Sequence, residues 1–122
     1  MKVLLTKKFA ESDLKYISDR INAGIELIEP KDYKEDTIIQ QMQSADVLFG
    51  GLLSEPIVSR AEHIRFAQIP WTGVDNLNFS MLNQYGLTIC NSHSNAILVA
   101  EHAISLAFAL AKKIPYLSLI HI

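Results

Sequence analysis

The sequence lacks several features that would point to a function at once. It has a single cysteine among 122 residues, which excludes an internal disulfide and favours a reducing, cytoplasmic compartment. Neither sign of charge dominates: 11 basic and 13 acidic residues give a net charge of −2, which offers no electrostatic case for binding nucleic acid or an anionic membrane. A polar, acidic stretch follows Lys7 and Lys8, so these lysines do not begin a secretion signal.

Two kinds of ligand motif are also missing. The four histidines and Cys90 show no metal-ligand spacing, so we predict no metal site. The sequence contains no G-x-G-x-x-G loop, and the pair Gly50-Gly51 is too short to replace one. These residues therefore supply no recognisable pyrophosphate-binding motif.

The residues that are present alternate between strand-like and helix-like segments. Apolar residues make up 49% of the chain and charged residues 20%, as expected for one globular domain. Their alternation predicts a five-stranded parallel α/β sheet with right-handed crossovers. The predicted strands are 3–5, 25–28, 45–49, 64–69 and 87–90. The predicted helices are 11–21, capped by Ser12, then 32–43, 55–61, with Pro56 in its first turn, and 79–85, ended by Gly86.

The last predicted helix, residues 96–111, is apolar on nearly every side. Glu101 and His102 interrupt it, but neighbouring residues on a helix point about 100° apart, so we do not expect them to form a catalytic pair. Its sixteen residues fall short of the roughly 20 that a membrane span needs. A helix without a polar face needs cover on every side, so we predict a partner surface, either another domain or a second subunit.

Three polar or glycine-containing loops follow predicted strands: Gly50–Ser54, Trp71–Asn76 and Asn91–Asn95. Ligands of open α/β sheets bind beyond the carboxyl ends of the strands, and glycines let backbone N–H groups approach an anion. The helix that follows the third loop also begins with N–H groups suited to an anion. Each loop could be a plain connection, but together they predict a site for a small anion.

Residues in these loops allow both structural and functional interpretations. Trp71 could close over a ligand or pack against a neighbour. The acid-amide pair 75–76 is expected to bond back onto its own turn, and His93 is either a loop residue or a cleft residue. We expect Cys90, at a strand end, to be a buried small apolar residue.

Taken in order, the motifs resemble the N-terminal substrate domain of the D-isomer-specific 2-hydroxyacid dehydrogenases. The resemblance covers about residues 1–116. It is carried by Ala45–Phe49, Thr72–Asn76, Tyr85–Asn91, Ser94–Asn95 and Val99–His102.

The resemblance implies a flavodoxin-like sheet of order 2-1-3-4-5 that is hinged to a nicotinamide-binding Rossmann domain. It makes residues 1–95 the substrate-binding domain and 96–116 an interdomain helix leading to a Rossmann domain that this sequence lacks. It also implies a small 2-hydroxy or 2-oxo acid as substrate, NAD or NADP as cofactor, and a homodimer when the protein is intact.

The resemblance assigns site residues as well. Backbone groups of two loops would hold the substrate carboxylate: Gly51, Leu52, Leu53, Thr72 and Gly73. Thr72 would also face the nicotinamide, and Asn95 would line the cleft near substrate and cofactor. The family's catalytic Arg, Glu and His lie later in the chain, so no catalytic residue is assigned here and we expect this fragment to be inactive alone.

A further expectation concerns the last six residues of the sequence. Residues 117–122, Leu-Ser-Leu-Ile-His-Ile, are interpreted as a non-native tail because they match one reading frame of a widely used transposon end.

The alternative function is a stand-alone flavodoxin-like binding or interaction module. The residues Thr6-Lys7-Lys8 disfavour a receiver-type version of it, since they supply no acidic cluster for a metal ion.

Overall fold

The computed structural model describes residues 1–120, and these form a parallel sheet with helices between its strands. The strands are β1 (Lys2–Leu5), β2 (Glu26–Ile28), β3 (Val47–Phe49), β4 (Phe66–Ile69) and β5 (Thr88–Asn91). The helices are α1 (Glu11–Ser18), α2 (Glu35–Met42), α3 (Glu55–Val58), α4 (Phe79–Gln84), α5 (Ala96–Ala111) and α6 (Ile114–Ile120). All strand pairs are parallel and the order is β2-β1-β3-β4-β5, so the predicted α/β sheet is confirmed.

One face of the sheet carries the core. Leu4 pairs with Leu48, and Leu48 pairs with Ala67, so these three side chains share a face. All three are completely buried. The apolar sides of α2, α3 and α4 cover them with a set of side chains that are at most 2% exposed: Ile38, Met42, Ile57, Val58 and Leu82. The burial of these residues is the main source of stability for the sheet.

Helix α1 and the residues after it cover one end of the opposite face. Ile17 and Ile21 lie over Val3 and Leu5 around a small apolar cavity of about 140 Å³. At the other end, Cys90 of β5 pairs with Gln68 of β4, and Cys90 is exposed. The prediction of a buried Cys90 is therefore wrong, because its side chain lies on the part of this face that α1 does not reach.

Helix ends differ from the predictions where local hydrogen bonds compete with apolar periodicity. Helix α1 ends at Ser18 rather than residue 21, and its N-cap residue is Ala10, so the predicted Ser12 cap is wrong. Before α2, the Asp32 carboxylate accepts a hydrogen bond from the Lys34 N–H at 3.2 Å, and the helix starts only at Glu35. Helix α5 has the predicted bounds.

The chain divides into two compact units, Met1–Ser92 and His93–Ile122. The first contains the sheet and α1–α4. The second contains α5, whose residues are all exposed except the half-buried Ala109, and α6, which was not predicted and begins with Ile114-Pro115. Residues 117–120 of the predicted tail belong to α6, and the last two lie outside the described residues. None of the helices within residues 1–120 is long and apolar enough to cross a bilayer.

Candidate functional site

The loop between β3 and α3 begins at a glycine that no other residue could replace without strain. Gly50 has a φ of +138°, and its N–H donates to the Gln68 carbonyl at 2.9 Å. A Cβ there would lie 2.5 Å from Oγ1 of Thr6. Thr6 is 1% exposed, and its Oγ1 has no hydrogen-bond partner among the described residues. The start of this loop is thus fixed between the ends of β1 and β4.

The next glycine joins this loop to the one after β4. A Cβ on Gly51 would lie 2.3 Å from Cζ2 and 2.7 Å from Cη2 of Trp71, so the indole fills the space in front of Gly51. The Lys7 ammonium lies 4.6 Å from the centre of the Trp71 ring, at cation–π distance. Trp71 therefore packs against a neighbouring backbone, which is one of the two roles that the sequence left open.

Hydrogen bonds tie the residue after Trp71 to the end of β5. The Thr72 hydroxyl donates to the Ser92 carbonyl at 3.0 Å, and the Asn91 side-chain amide donates to the Thr72 carbonyl at 2.7 Å. The Ser92 N–H also donates to the Trp71 carbonyl at 3.3 Å. Gly73 follows as an exposed residue, and a Cβ on it would meet nothing within 4 Å. The segment 72–73 is thus held at the carboxyl edge of the sheet with open space beside it.

The turn that follows is held by its backbone. The Leu77 N–H donates to the Val74 carbonyl at 3.0 Å. Within residues 1–120 the exposed side chains of Asp75 and Asn76 make no hydrogen bond, so the expectation that they fix the turn is wrong. The polar residue that does anchor this segment is Asn78, whose Oδ1 accepts the Met81 N–H at 3.1 Å and caps α4.

Several backbone donors at this edge have no internal acceptor. Within the described part of the chain this holds for the N–H groups of Gly51, Leu52, Leu53 and Gly73. Residues 51–55 also line a cavity of about 350 Å³ together with residues 76–78 and Met81. No Lys or Arg lines this cavity and Glu55 does, so an anion there would depend on uncharged donors, namely backbone N–H groups and the side-chain amides of Asn76 and Asn78.

Sequence reasoning missed a second concave surface beside Trp71. It has a volume of about 430 Å³, and we call it the Trp71 groove. Its lining residues come from the β1–α1 loop, α1, β3 and the end of β4: Lys7, Phe9, Asp13, Tyr16, Ile17, Phe49, Pro70 and Trp71. The available signal was the position of Lys7 and Phe9 just after β1, at the same sheet edge as the other loops.

The remaining predicted residues lie in the second unit. Asn95 immediately precedes α5, and its carbonyl accepts the Val99 N–H at 3.0 Å. Glu101 and His102 are exposed on α5. The structure thus brings Gly51 and its loop against the segment before Thr72 and Gly73, while Asn95 belongs to a separate unit. The described residues include no group of three or more His, Cys, Asp or Glu side chains able to hold a metal ion.

Known proteins share this arrangement of strands and helices. A solved D-lactate dehydrogenase from Lactobacillus jensenii, determined with NAD+, superposes with a TM-score of 0.66 and 22% identity over 93% of this chain and 37% of its own. A D-isomer specific 2-hydroxyacid dehydrogenase from Lactobacillus delbrueckii, in an NAD-complexed form, gives 0.67 and 17% over 93% of this chain and 37% of its own. Because both identities are below 25%, the structural similarity to these two proteins establishes the fold of this chain and nothing further.

Sequence comparison goes further than the fold. The D-3-phosphoglycerate dehydrogenase of Archaeoglobus fulgidus is 25% identical in an alignment of 119 residues that covers 94% of this chain and 22% of that protein. The chain thus spans about a fifth of this curated relative and over a third of the two solved structures. Residues 3–114 match the family model for the catalytic domain of the D-isomer specific 2-hydroxyacid dehydrogenases. The chain therefore belongs to the D-isomer specific 2-hydroxyacid dehydrogenase family.

Proposed function

We propose that this chain is the substrate-binding part of an oxidoreductase that interconverts a 2-hydroxy acid and a 2-oxo acid by hydride transfer. One observation carries the proposal: the Trp71 indole packs on Gly51 and so holds together two loops whose N–H groups lack internal acceptors. The family membership supplies the reaction type. The substrate carboxylate is the group that such a pair of loops would bind.

Within this proposal, Gly51, Leu52, Leu53 and Gly73 donate backbone hydrogen bonds to the carboxylate. Backbone donors suit this role because their positions are fixed before the substrate arrives and need no reorganisation. Thr72 directly precedes Gly73, and its hydroxyl donates to the Ser92 carbonyl, which holds this segment at the sheet edge.

The cofactor proposed for the intact protein is NAD, the dinucleotide present in both solved relatives; NADP stays a prediction. A bound nicotinamide supplies or accepts the hydride. Thr72 is exposed at the sheet edge and could border the nicotinamide, while Asn95 stays a prediction for the assembled cleft. The 122 residues contain no glycine-rich pyrophosphate loop, so we propose that a Rossmann domain supplies it and that this chain alone is inactive.

The test is a titration of the isotope-labelled chain with D-lactate, followed through the backbone amide signals. We expect shifts at residues 51–53 and at Gly73, and no comparable shifts with lactamide, which lacks the carboxylate. Thr72→Val, compared with the exposed Thr88→Val, then measures what the hydroxyl contributes. Equal responses to D-lactate and lactamide, or no response at millimolar concentrations, would contradict the proposal.

A second candidate, an interaction module, is favoured by the surface of α5. The large apolar side chains along this helix are more than half exposed, among them Ile97 at 73%, Phe108 at 62% and Leu110 at 74%. Exposed apolar area of this extent is typical of interaction surfaces. In this candidate the chain stands alone and α5 contacts a second copy. A homodimer is a separate proposal for the intact protein, in a cytoplasmic setting compatible with the unpaired Cys90.

A further inference from the structure

The Trp71 groove is bounded by the residue that directly precedes Thr72 and Gly73. We propose that it receives the substituent on C2 of the substrate and that it favours a bulky apolar substituent, aromatic rings included. This inference rests on the proposed function, because the carboxylate must be anchored nearby for its side chain to enter the groove.

One side chain stands between the groove and the candidate carboxylate site. Trp71 lines the groove, packs on Gly51, and is followed directly by Thr72 and Gly73. The carboxyl carbon and the side chain of a 2-hydroxy acid are both attached to C2. With the carboxylate on the Gly51 N–H, the indole is the neighbouring surface for the side chain.

The lining of the groove is chiefly apolar and aromatic. Six of its eight residues are of this kind: Phe9, Tyr16, Ile17, Phe49, Pro70 and Trp71. The rings of Phe9 and Phe49 lie 5.3 Å apart at a tilt of 38°, which is a favourable aromatic pairing. An apolar cavity of about 150 Å³ is enough to hold benzene. The volume of about 430 Å³ leaves room for a phenyl or branched aliphatic group.

The charges in the groove oppose each other, which argues against a second anionic group as the preferred substituent. Lys7 and Asp13 both line it. Asp13 lies in the first turn of α1, where a carboxylate complements the helix N-terminus. The Lys7 ammonium lies over the Trp71 ring and has no carboxylate within 4.0 Å among residues 1–120. Lys7 thus holds the indole in place more directly than it offers a charge to a ligand.

Trp71 is the only tryptophan, so its indole N–H gives a single reporter signal for the groove. The experiment titrates the labelled chain with D-3-phenyllactate and, separately, with D-lactate. We expect both acids to shift the Gly73 amide, and only phenyllactate to shift the indole N–H strongly. Partial burial of the phenyl ring should make phenyllactate bind about tenfold more tightly than lactate.

Variants separate the groove from the carboxylate site. Phe9→Ala should reduce the preference for phenyllactate to less than about threefold while lactate binding is unchanged, since Phe9 lines only the groove. Tyr16→Ala serves the same purpose with less risk to folding, because Tyr16 is 60% exposed. The matched control is Phe79→Ala, an exposed aromatic residue of α4 outside the groove, which should keep the full preference.

The outcomes distinguish this inference from the proposed function. If both acids shift Gly73 with equal affinity and the indole N–H does not move, the groove assignment is overturned while the carboxylate site stands. If neither acid shifts residues 51–53 or Gly73, the carboxylate site fails and the groove assignment fails with it. If Phe9→Ala and Tyr16→Ala both keep the tenfold preference, the substituent binds elsewhere.

Discussion

At the residue scale, Gly51 shapes the candidate site because it has no side chain. The Trp71 ring occupies the space that a Cβ would need, so Gly51→Ala must displace the indole or the loop. We expect a loss of about 1–3 kcal/mol in the free energy of unfolding, as for other overpacked sites. Urea unfolding followed by the fluorescence of Trp71 measures both the stability and the new environment of the ring.

The control for this change is Gly24→Ala, where a Cβ meets nothing within 4 Å. It should leave stability within about 0.5 kcal/mol or raise it slightly, because alanine restricts the unfolded chain. If Gly51→Ala behaved like Gly24→Ala, with the same tryptophan emission, the contact between Gly51 and Trp71 would not exist in solution.

The buried hydroxyl of Thr6 predicts a stabilising substitution. Its Oγ1 is buried without a hydrogen-bond partner in residues 1–120, and an unsatisfied buried hydroxyl costs about 1–3 kcal/mol. Thr6→Val keeps the shape of the side chain and removes the polar atom, so we expect the variant to be more stable by about 1 kcal/mol. Thermal unfolding tests this, with the exposed Thr88→Val as the control that should change little. A clear loss of stability in Thr6→Val would show that the hydroxyl has a structural partner.

Asp32 predicts a specific pH dependence. The Thr37 hydroxyl and the Lys34 N–H donate to its carboxylate, which lowers the pKa of Asp32 below its usual value near 3.8. The carboxylate thus stabilises the fold above that value, and the contribution is lost as the pH falls through the lowered pKa. Asp32→Ala should therefore lower the free energy of unfolding at pH 7. At about pH 2 the difference in unfolding free energy between the variant and the original chain should be smaller, as measured by urea unfolding.

Thr37→Val removes the first of the two donors and should have the same effect in smaller measure. A stability difference for Asp32→Ala that was equal at both pH values would mean that the carboxylate makes no stabilising contact.

At the scale of single elements, the N-terminus of α4 depends on one capping side chain. Asn78 caps this helix through Met81, whereas α1 and α2 have no side-chain hydrogen bond at their N-caps. Asn78→Ala should cost about 1 kcal/mol of unfolding free energy. Asn83→Ala, inside the same helix and exposed, should be neutral or slightly stabilising because alanine favours helices. Equal effects of the two changes would contradict the capping role.

The elements also show what could be predicted from sequence. The bounds of α5 followed from its long apolar run, which ends at Lys112-Lys113, and the strand order followed from the family resemblance. Helix α1 was predicted too long because the periodicity of Leu14 and Ile17 extends to residue 21, while the chain leaves the helix after Ser18. Periodicity marks an apolar face but does not fix where backbone hydrogen bonds change partner.

The site was predictable as a set of loops but not as contacts. The three loops at the sheet edge follow from the alternation of strands and helices. The packing of Trp71 on Gly51, and the groove that Lys7 and Phe9 share with Trp71, depend on which strands become neighbours. The exposure of Cys90 was missed for the same reason, because the pattern of one strand does not say which helix covers it.

At the scale of the whole molecule, the surface of α5 predicts self-association. We expect the chain to form dimers or larger species at micromolar concentrations, since Leu106 and Phe108 are 52% and 62% exposed. The double change Leu106→Glu and Phe108→Glu should shift the mass measured by light scattering towards the monomer. The control is the double change Gln40→Glu and Gln84→Glu, which adds the same charge at exposed polar positions and should leave the mass unchanged. If the chain without substitutions is monomeric at these concentrations, the prediction is contradicted.

The strand order also has a consequence for how the sheet assembles. Paired residues are 24 apart between β1 and β2 (Lys2 and Glu26), 22 apart between β4 and β5 (Phe66 and Thr88), but 44 apart between β1 and β3 (Val3 and Val47). The longer loop has the larger closure entropy, so contact between β1 and β3 is the least probable early event. Between β3 and β4 the separation is only 19 (Leu48 and Ala67), so two pieces, β1–β2 and β3–β4–β5, can form first. We expect the step that joins them to limit the rate of folding.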